Sequence, residues 1–384
     1  MPDRLRVLHV TEVPAGGVGH SLVDLVQGQI AKGFDVTVIY SEQRIDQNFV
    51  EFLNSQPQAR FITIPMHRSP HFSDFAVARK VRRIMKDNGP FDVIHGHSSK
   101  GGAIARLAAL GKKIVCIYSP YAVYTLNPLL NVFSYQFFRA IEIGLSLVTD
   151  RIIVDTVAEE EHVLALGVSR AKVTFIPNAV EPAPAIDKAE ARKTFGLPES
   201  AIIIGWIGKL EVQKDPGLLI RSFKELAATH PNTVLAIAGA GEMLSEMQQL
   251  TRDCGVEDRV HFLGFRPGLQ VMGACDIYAM TSHYEGFAYV LLEALASSLP
   301  IVTTDMVMAH SVVIEGINGS IVKTRDPVDF ATALAALVDD PDRRAEFGRA
   351  SLRKSEDFDL SKKIEANLRV YAELLPPDRQ LAIP

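Results

Sequence analysis

The sequence predicts an α/β protein built from two Rossmann-like domains. Short apolar strands alternate with amphipathic helices along nearly the whole chain, the signature of βαβ units and parallel sheets. This series runs twice, with a proline-rich stretch between the runs. The length of 384 residues suits two domains better than one core.

The first series opens with a strand over Arg6–Val10, a loop containing Gly16, Gly17 and Gly19, a helix over Ser21–Lys32 ended by Gly33, and a strand over Val36–Tyr40. Strand, helix and parallel strand within about 35 residues make one βαβ unit. Strands are expected at Phe61–Ile64, Val93–His95, Ile114–Tyr118, Arg151–Val154 and Val173–Ile176, with helices at Phe75–Lys86, Gly101–Leu110, Pro128–Leu147 and Glu159–Leu166. From Pro177 to Pro198 the texture changes to prolines among alanines and charges, which marks an interdomain segment. The second series has strands at Ile202–Ile207, Val234–Ala238, Val260–Phe262, Ile277–Met280, Ile301–Thr303 and Ser320–Val322, and a final helix covers Ser361–Leu375. The expected organisation is a first domain over residues 1–180, a second over 181–360, and a C-terminal helix and tail over 361–384 that returns to the first domain.

Composition narrows the function classes. Hydrophobic residues are 47% and charged residues 22%, as in a soluble globular enzyme. The formal net charge of −5 disfavours bulk nucleic-acid binding. The three cysteines, Cys116, Cys254 and Cys275, are scattered and form no C-x-x-C pair, so buried free thiols in a reducing compartment are expected, and no metal cluster. The N-terminal residues lead straight into a strand without a signal-peptide core, and no stretch approaches the roughly 20 apolar residues of a spanning helix. The expected location is the cytoplasm, with any membrane contact peripheral.

In a doubly wound fold ligands sit outside the C-terminal ends of the strands, so residues just after strands matter most. Gly16, Gly17 and Gly19 follow the first strand, and Glu42 ends the second, an arrangement open to a dinucleotide reading. The G-x-G-x-x-G spacing fails, because the third position after Gly19 is Leu22, and the loop is too long for that tight turn. An NAD enzyme is therefore disfavoured.

The second half is more specific. Gly208-Lys209-Leu-Glu-Val-Gln-Lys214-Asp-Pro216 follows a strand, and Pro216 suits the first turn of a helix. Two cations beside a helix N-terminus can hold a diphosphate, although two lysines taken alone would read as solvated surface side chains. After the strand Ile277–Met280, Glu285-Gly286 form a turn and a helix starts at about Phe287. Glu293 then lies about 12 Å along the axis from Glu285. A carboxylate at Glu293 can accept both hydroxyls of a ribose, Glu285 can do the same for a sugar, and the amides of Gly286, Phe287 and Ala288 can face phosphates. Glu293 sits among Leu291, Leu292, Ala294 and Leu295, where an acid needs a reason.

Across nearly the whole chain these residues resemble glycosyltransferase family 4, retaining enzymes of the GT-B fold. The family's E-x7-E motif corresponds to Glu285 through Glu293. Further landmarks are Gly208-Lys209-Leu with Lys214, Ile176-Pro-Asn178-Ala-Val-Glu181, Ala238-Gly239-Ala-Gly241, Phe262-Leu-Gly264-Phe265, Gly16-Gly17, and Asp92-Val-Ile-His95-Gly-His97-Ser-Ser-Lys100. The opening Thr11-Glu-Val-Pro-Ala-Gly-Gly-Val-Gly19 is similar to bacterial members that build surface polysaccharides on a lipid carrier.

The resemblance implies two Rossmann-like domains facing each other across a deep cleft, with the nucleotide-sugar on the second. It implies that Glu293 binds the ribose and Glu285 lies near the transferred sugar. Lys209 and Lys214 would neutralise the leaving diphosphate in place of a divalent metal, so no metal and no cofactor are expected. Gly16 and Gly17 would approach the phosphates, Gly208, Gly264 and Phe265 would line the donor site, and His97 would face the cleft beside the donor sugar and acceptor. The implied reaction is transfer with retention from a nucleotide-sugar, a UDP-sugar before GDP-mannose, to a hydroxyl of a glycan or lipid-linked saccharide in cell-surface polysaccharide biosynthesis. The rivals are a GT-B nucleotide-sugar 2-epimerase and a catalytically degenerate transferase acting as a partner protein.

The sequence departs from the family pattern at four places. Lys209 stands for arginine, which loses the bidentate fork. Met306–Ser311 stands for a glycine pair and a glutamate, Ser297-Ser298 for a small residue and glycine, and Tyr121 for histidine. Finally, Arg79, Lys80, Arg82, Arg83 and Lys86 share a helix with Val77, Val81, Ile84 and Met85. Such a helix either lies on the sheet with its charges in water or rests on an anionic bilayer at the inner membrane.

Overall fold

The computed structural model describes residues 4–380 except 68–69, 127–129, 184 and 286–287. It divides into two compact units, one of residues 1–178 with 360–384 and the other of 179–359.

The first unit holds seven parallel strands: β1 (Arg6–Thr11), β2 (Asp35–Tyr40), β3 (Arg60–Thr63), β4 (Val93–His97), β5 (Val115–Ser119), β6 (Arg151–Val154) and β7 (Val173–Phe175), in the spatial order β3-β2-β1-β4-β5-β6-β7. The second holds six: β8 (Ile202–Ile207), β9 (Thr233–Ala238), β10 (Val260–Gly264), β11 (Ile277–Met280), β12 (Ile301–Thr304) and β13 (Gly319–Val322), in the order β10-β9-β8-β11-β12-β13. Both are doubly wound sheets. Their strand order reverses between β1 and β4 and between β8 and β11, and a crevice opens at the strands' C-terminal ends at such a switch. The strands read as continuous apolar runs because helices cover both faces. Val7, Val36, Val38, Val93 and Ile117 fill one side of the first sheet, and Leu8, Val10, Ile39, Ile94 and Cys116 the other.

The C-terminal helix Leu360–Leu374 belongs to the first unit. Ile364 packs so closely on Gly28 that a Cβ there would meet it at 2.7 Å. Lys363 reaches Ser21 at 2.9 Å and Asp24 at 3.6 Å.

Several elements differ from the sequence expectation. The first helix begins at Gly16, not Ser21, because Gly16 takes a φ of +57° that lets the chain turn directly into it. A helix at Gln47–Ser55 has no counterpart in the expected series; Asp46 caps it by accepting from the Phe49 amide at 2.9 Å. The proline-rich segment is not a bare linker. It contains the helix Lys188–Phe195, capped by Asp187 and ended by Gly196 at φ +65°. Arg192 ties that helix to Asp276 at 2.6 Å, inside the second unit.

Candidate active site

In the second unit the candidate residues gather after β8, β9, β10 and β11. Glycines bring these strand ends together. A Cβ on Gly239 would stand 1.8 Å from the Gly208 carbonyl oxygen, and one on Gly241 would stand 2.2 Å from that of Leu210. Gly239 donates to the Gly264 oxygen at 2.8 Å, and Gly264 takes a φ of +69°. The glycine spacing thus reflects close backbone approach.

The turn after β8 is fastened to the end of β11. Trp206 Nε1 donates to Thr281 Oγ1 at 3.2 Å, and Thr281 Oγ1 donates to the Lys214 carbonyl at 3.0 Å. Asp215, at φ +41°, caps the helix Pro216–Thr229 by accepting from the Leu218 amide at 3.0 Å. The same carboxylate accepts from Arg325 Nη2 at 2.5 Å, and Arg325 also donates to the Thr281 carbonyl at 2.8 Å. Arg325, Asp215 and Thr281 are structural supports that motif reasoning missed. Asp-Pro before a helix was a visible capping signal for Asp215, whereas Arg325 lies 110 residues away with no local signal.

This frame sets the central contact. Lys214 Nζ lies 2.5 Å from Glu285 Oε1, with the lysine side chain 19% and the glutamate side chain 8% exposed. An ammonium has three N–H groups, so one can hold Glu285 while two remain for an anion. Lys209 is exposed and makes no ion pair among the described residues. Glu293, half-buried, lies on the helix Tyr289–Ala296, which starts two residues later than expected. Its carboxylate lies over Gly268, where a Cβ would meet Oε2 at 2.6 Å. Tyr278 on β11 is buried, and its phenol is pushed well above its usual value by burial first and then by the charges of Glu293 and Glu285. Lys214, Glu285 and Glu293 are therefore assembled around one strand end. Ala288 is buried at the start of the helix, Phe265 is exposed, and Gly286 and Phe287 lie outside the described residues.

The departures have local explanations. Met306, Met308 and Ala309 are buried in the second unit's core, and Asp305 holds His310 at 2.7 Å, so apolar packing builds the loop where the family uses glycines. Ser298 takes a φ of +56°, the conformation that explains the family's glycine there.

In the first unit Gly16 and Gly17 are exposed at the start of the helix after β1, and the Gly16 amide donates to Asp46 at 2.8 Å. His97 ends β4 and is fully buried. Its Nε2 lies 2.8 Å from His9 Nδ1 and its Nδ1 3.3 Å from the Tyr121 hydroxyl, so both nitrogens are engaged. Burial, followed by the charges of His95, His9 and Lys363, holds its pKa well below the usual value. Among the described residues His9, His95 and His97 are the group able to offer three metal ligands, with their ligand atoms within 4.8 Å of one another. Their nitrogens already bond to one another and to Gln29, Tyr371, Ser119 and Tyr121, and a cation would have to break that network.

The chain matches known protein families along nearly its whole length. The description "Glycosyltransferase Family 4" matches residues 15–183, and "Glycosyl transferases group 1" matches residues 187–354. The chain is 30% identical to the D-inositol 3-phosphate glycosyltransferase of Stackebrandtia nassauensis, over 75% of this chain and 69% of that one. It is 22% identical to the Escherichia coli UDP-Gal:alpha-D-GlcNAc-diphosphoundecaprenol alpha-1,3-galactosyltransferase, over 97% and 98%. Among solved structures, HepE of Anabaena in complex with UDP superposes with a TM-score of 0.81 at 19% identity, covering 97% of this chain and all of that one.

Proposed function

The chain belongs to glycosyltransferase family 4 and is a glycosyltransferase of GT-B type, and from that premise we propose that it transfers a sugar with retention from a UDP-sugar to a hydroxyl of a glycan or lipid-linked saccharide. The observation that carries the reading is the Lys214–Glu285 pair, with Glu293 at the same strand end. The acceptor oxygen bonds to the anomeric carbon on the face from which the diphosphate leaves. The bond to the diphosphate breaks, and a leaving phosphate oxygen takes the acceptor's proton. Charge grows on the diphosphate, so cations placed there contribute most. Lys214 and Lys209 supply them, Glu285 orients the sugar, and Glu293 holds the ribose. Gly16, Gly17, Gly208, Gly264, Phe265, Gly286, Phe287 and Ala288 complete the donor-binding set. We propose no metal requirement, because the lysines do a divalent ion's work.

The UDP preference rests on the E. coli relative and on the UDP complex of HepE, with GDP-mannose second. The same relative, named for a diphosphoundecaprenol-linked acceptor, supports a role in cell-surface polysaccharide synthesis at the cytoplasmic face of the inner membrane. No described helix is long and apolar enough to cross a membrane. The first unit does expose Phe72, Phe75, Val132, Phe133 and Phe137, and Phe75 shares its helix with the exposed Arg79, Lys80 and Arg83. Aromatic and basic side chains together suit an anionic bilayer surface.

A thermal-shift panel of UDP-, GDP- and ADP-sugars tests the donor, since a ligand that binds only the folded state raises the melting temperature. Transfer that persists in EDTA supports metal independence. Epimerised donor formed without acceptor would point to the 2-epimerase, and absence of both transfer and hydrolysis to a regulatory partner.

A further inference from the structure

The three buried histidines belong to a larger circuit. His9 on β1 lies beside His95 on β4, and Thr11 beside His97, so the imidazoles crowd two neighbouring strands. The Tyr121 hydroxyl meets His97 Nδ1 at 3.3 Å, and His97 Nε2 meets His9 Nδ1 at 2.8 Å. His9 Nε2 meets Gln29 Oε1 at 2.8 Å, and Gln29 Nε2 donates to the Tyr371 hydroxyl at 3.1 Å. Tyr371 meets His95 Nδ1 at 2.7 Å, and His95 Nε2 meets Ser119 Oγ at 2.8 Å. Ser119 and Tyr121 end this run of seven side chains, and the backbone joining these two neighbouring residues closes it into a ring.

The amide of Gln29 sets the sense of this ring. Its oxygen faces His9 Nε2, so that nitrogen carries the proton and Nδ1 accepts. His97 must then donate from Nε2 and accept from Tyr121 at Nδ1. On the other side Tyr371 accepts from Gln29 and donates to His95, which donates from Nε2 to Ser119. Each member between Tyr121 and Ser119 donates once and accepts once, and all three histidines are neutral Nε2–H tautomers. A second proton on His9 would set two N–H groups head to head, and one on His95 or His97 would meet a hydroxyl that already donates to that nitrogen.

The ring borders a strained turn. Tyr121 and Ala122 take φ of +53° and +86°, values that residues with a Cβ avoid. The amides of Ala122 and Val123 donate to Oε1 of the buried Glu159 at 2.9 and 2.8 Å. Strain of this kind persists where surrounding contacts over-determine it, and it concentrates at functional sites. The turn follows β5, at the sheet edge where β1 and β4 end and ligands of such folds bind.

We propose that the ring is a positioning device for the transfer site. His9, Gln29, His95, His97 and Tyr371 are positioning residues that hold the Tyr121–Ala122 turn, and Tyr371 makes the C-terminal helix a part of that site. The proposal rests on the transferase reading for its kinetic consequence alone.

Long-range proton–nitrogen spectra of the 15N-labelled full chain test the ring directly. Three neutral Nε2–H imidazoles support it. Mixed tautomers, an imidazolium, or stoichiometric zinc in the purified protein overturn it. Tyr371→Phe keeps the shape and removes the bridging hydroxyl, and Ser119→Ala opens the ring away from the C-terminal helix. Each is expected to lower kcat by about tenfold or more, as misplacement of a site does. Donor KM should stay within about twofold, because Lys209, Lys214, Glu285 and Glu293 lie in the other unit. An acid limb should also appear in kcat at higher pH than in the parent, since a freed imidazole can take a second proton. Parental kcat and pH profile in both variants would overturn the positioning role. If the parent transfers no sugar from any nucleotide-sugar, the transferase reading fails, while the tautomers still decide the ring.

Discussion

Replacing Lys214 with alanine separates stability from chemistry at the candidate site. The pair it breaks is partly enclosed, with side chains 19% and 8% exposed at 2.5 Å. An exposed pair contributes about 0–1 kcal/mol and breaking a buried one costs about 3–5 kcal/mol. The exposures here fall between, so the loss is about 2 kcal/mol, as for a hydrogen bond to a charged group. For a unit of this size that lowers the melting temperature by about 4–8 °C. The turn itself survives, because Thr281 holds the backbone carbonyl of Lys214 and not its side chain. The effect on transfer should be larger. Removing one positioned donor from a developing oxyanion costs about 10²–10³ in kcat. Adding Glu285→Gln removes the stranded carboxylate, so the double variant should recover about 1–2 kcal/mol of coupling. Calorimetric unfolding of the four proteins gives the coupling, and initial-rate transfer assays give kcat. A kcat within about threefold of the parent would refute the leaving-group role. Additive stability losses would refute the pairing.

Three further outcomes follow from particular contacts. Glu293→Ala should weaken binding of the free nucleotide by about tenfold, and Gly268→Ala, whose Cβ would collide with the same carboxylate, should do so with Glu293 intact; isothermal calorimetry with UDP measures both. Ser298→Gly should raise stability by about 0.5–1 kcal/mol by relieving the left-handed conformation at that residue, and an unchanged denaturant midpoint would count against the strain. Burial lowers the pKa of His9 from 6.5 to about 4 and holds those of His95 and His97 well below the usual value. The unfolded chain therefore binds more protons below pH 6.5, so stability is complete above that value and falls as pH drops toward 4, by up to about 1.4 kcal/mol per pH unit for each histidine. Urea unfolding across that range reads the slope, and a flat profile would show that the histidines are not held neutral.

The alternation of strands and helices was legible because each element leaves a local mark. β6, β8 and β11 begin and end at the residues their apolar runs indicate. Pro216 and the E-x7-E spacing located the turn after β8 and the helix carrying Glu293, since a strand end followed by a capped helix is specified within a few residues. The helix Gln47–Ser55 escaped because it is only 9 residues long, with Phe49, Phe52 and Leu53 as its apolar face. The helix Lys188–Phe195 escaped because flanking prolines masked its Asp cap and Gly stop. Whether a site residue is open or enclosed was not legible at all. His97 looked like a group offered to a substrate; its burial depends on His9, Tyr121 and, through His95, on Tyr371, which lies 276 residues from that histidine. Lys214 and Glu285 were both picked out, yet their contact joins residues 71 apart. By itself the sequence determined the elements, their order and the residue types at the strand ends, because periodicity, capping and turn chemistry act over a few neighbours. Only the tertiary structure decided which of those residues touch, because burial and hydrogen bonding depend on what distant segments bring to the same place.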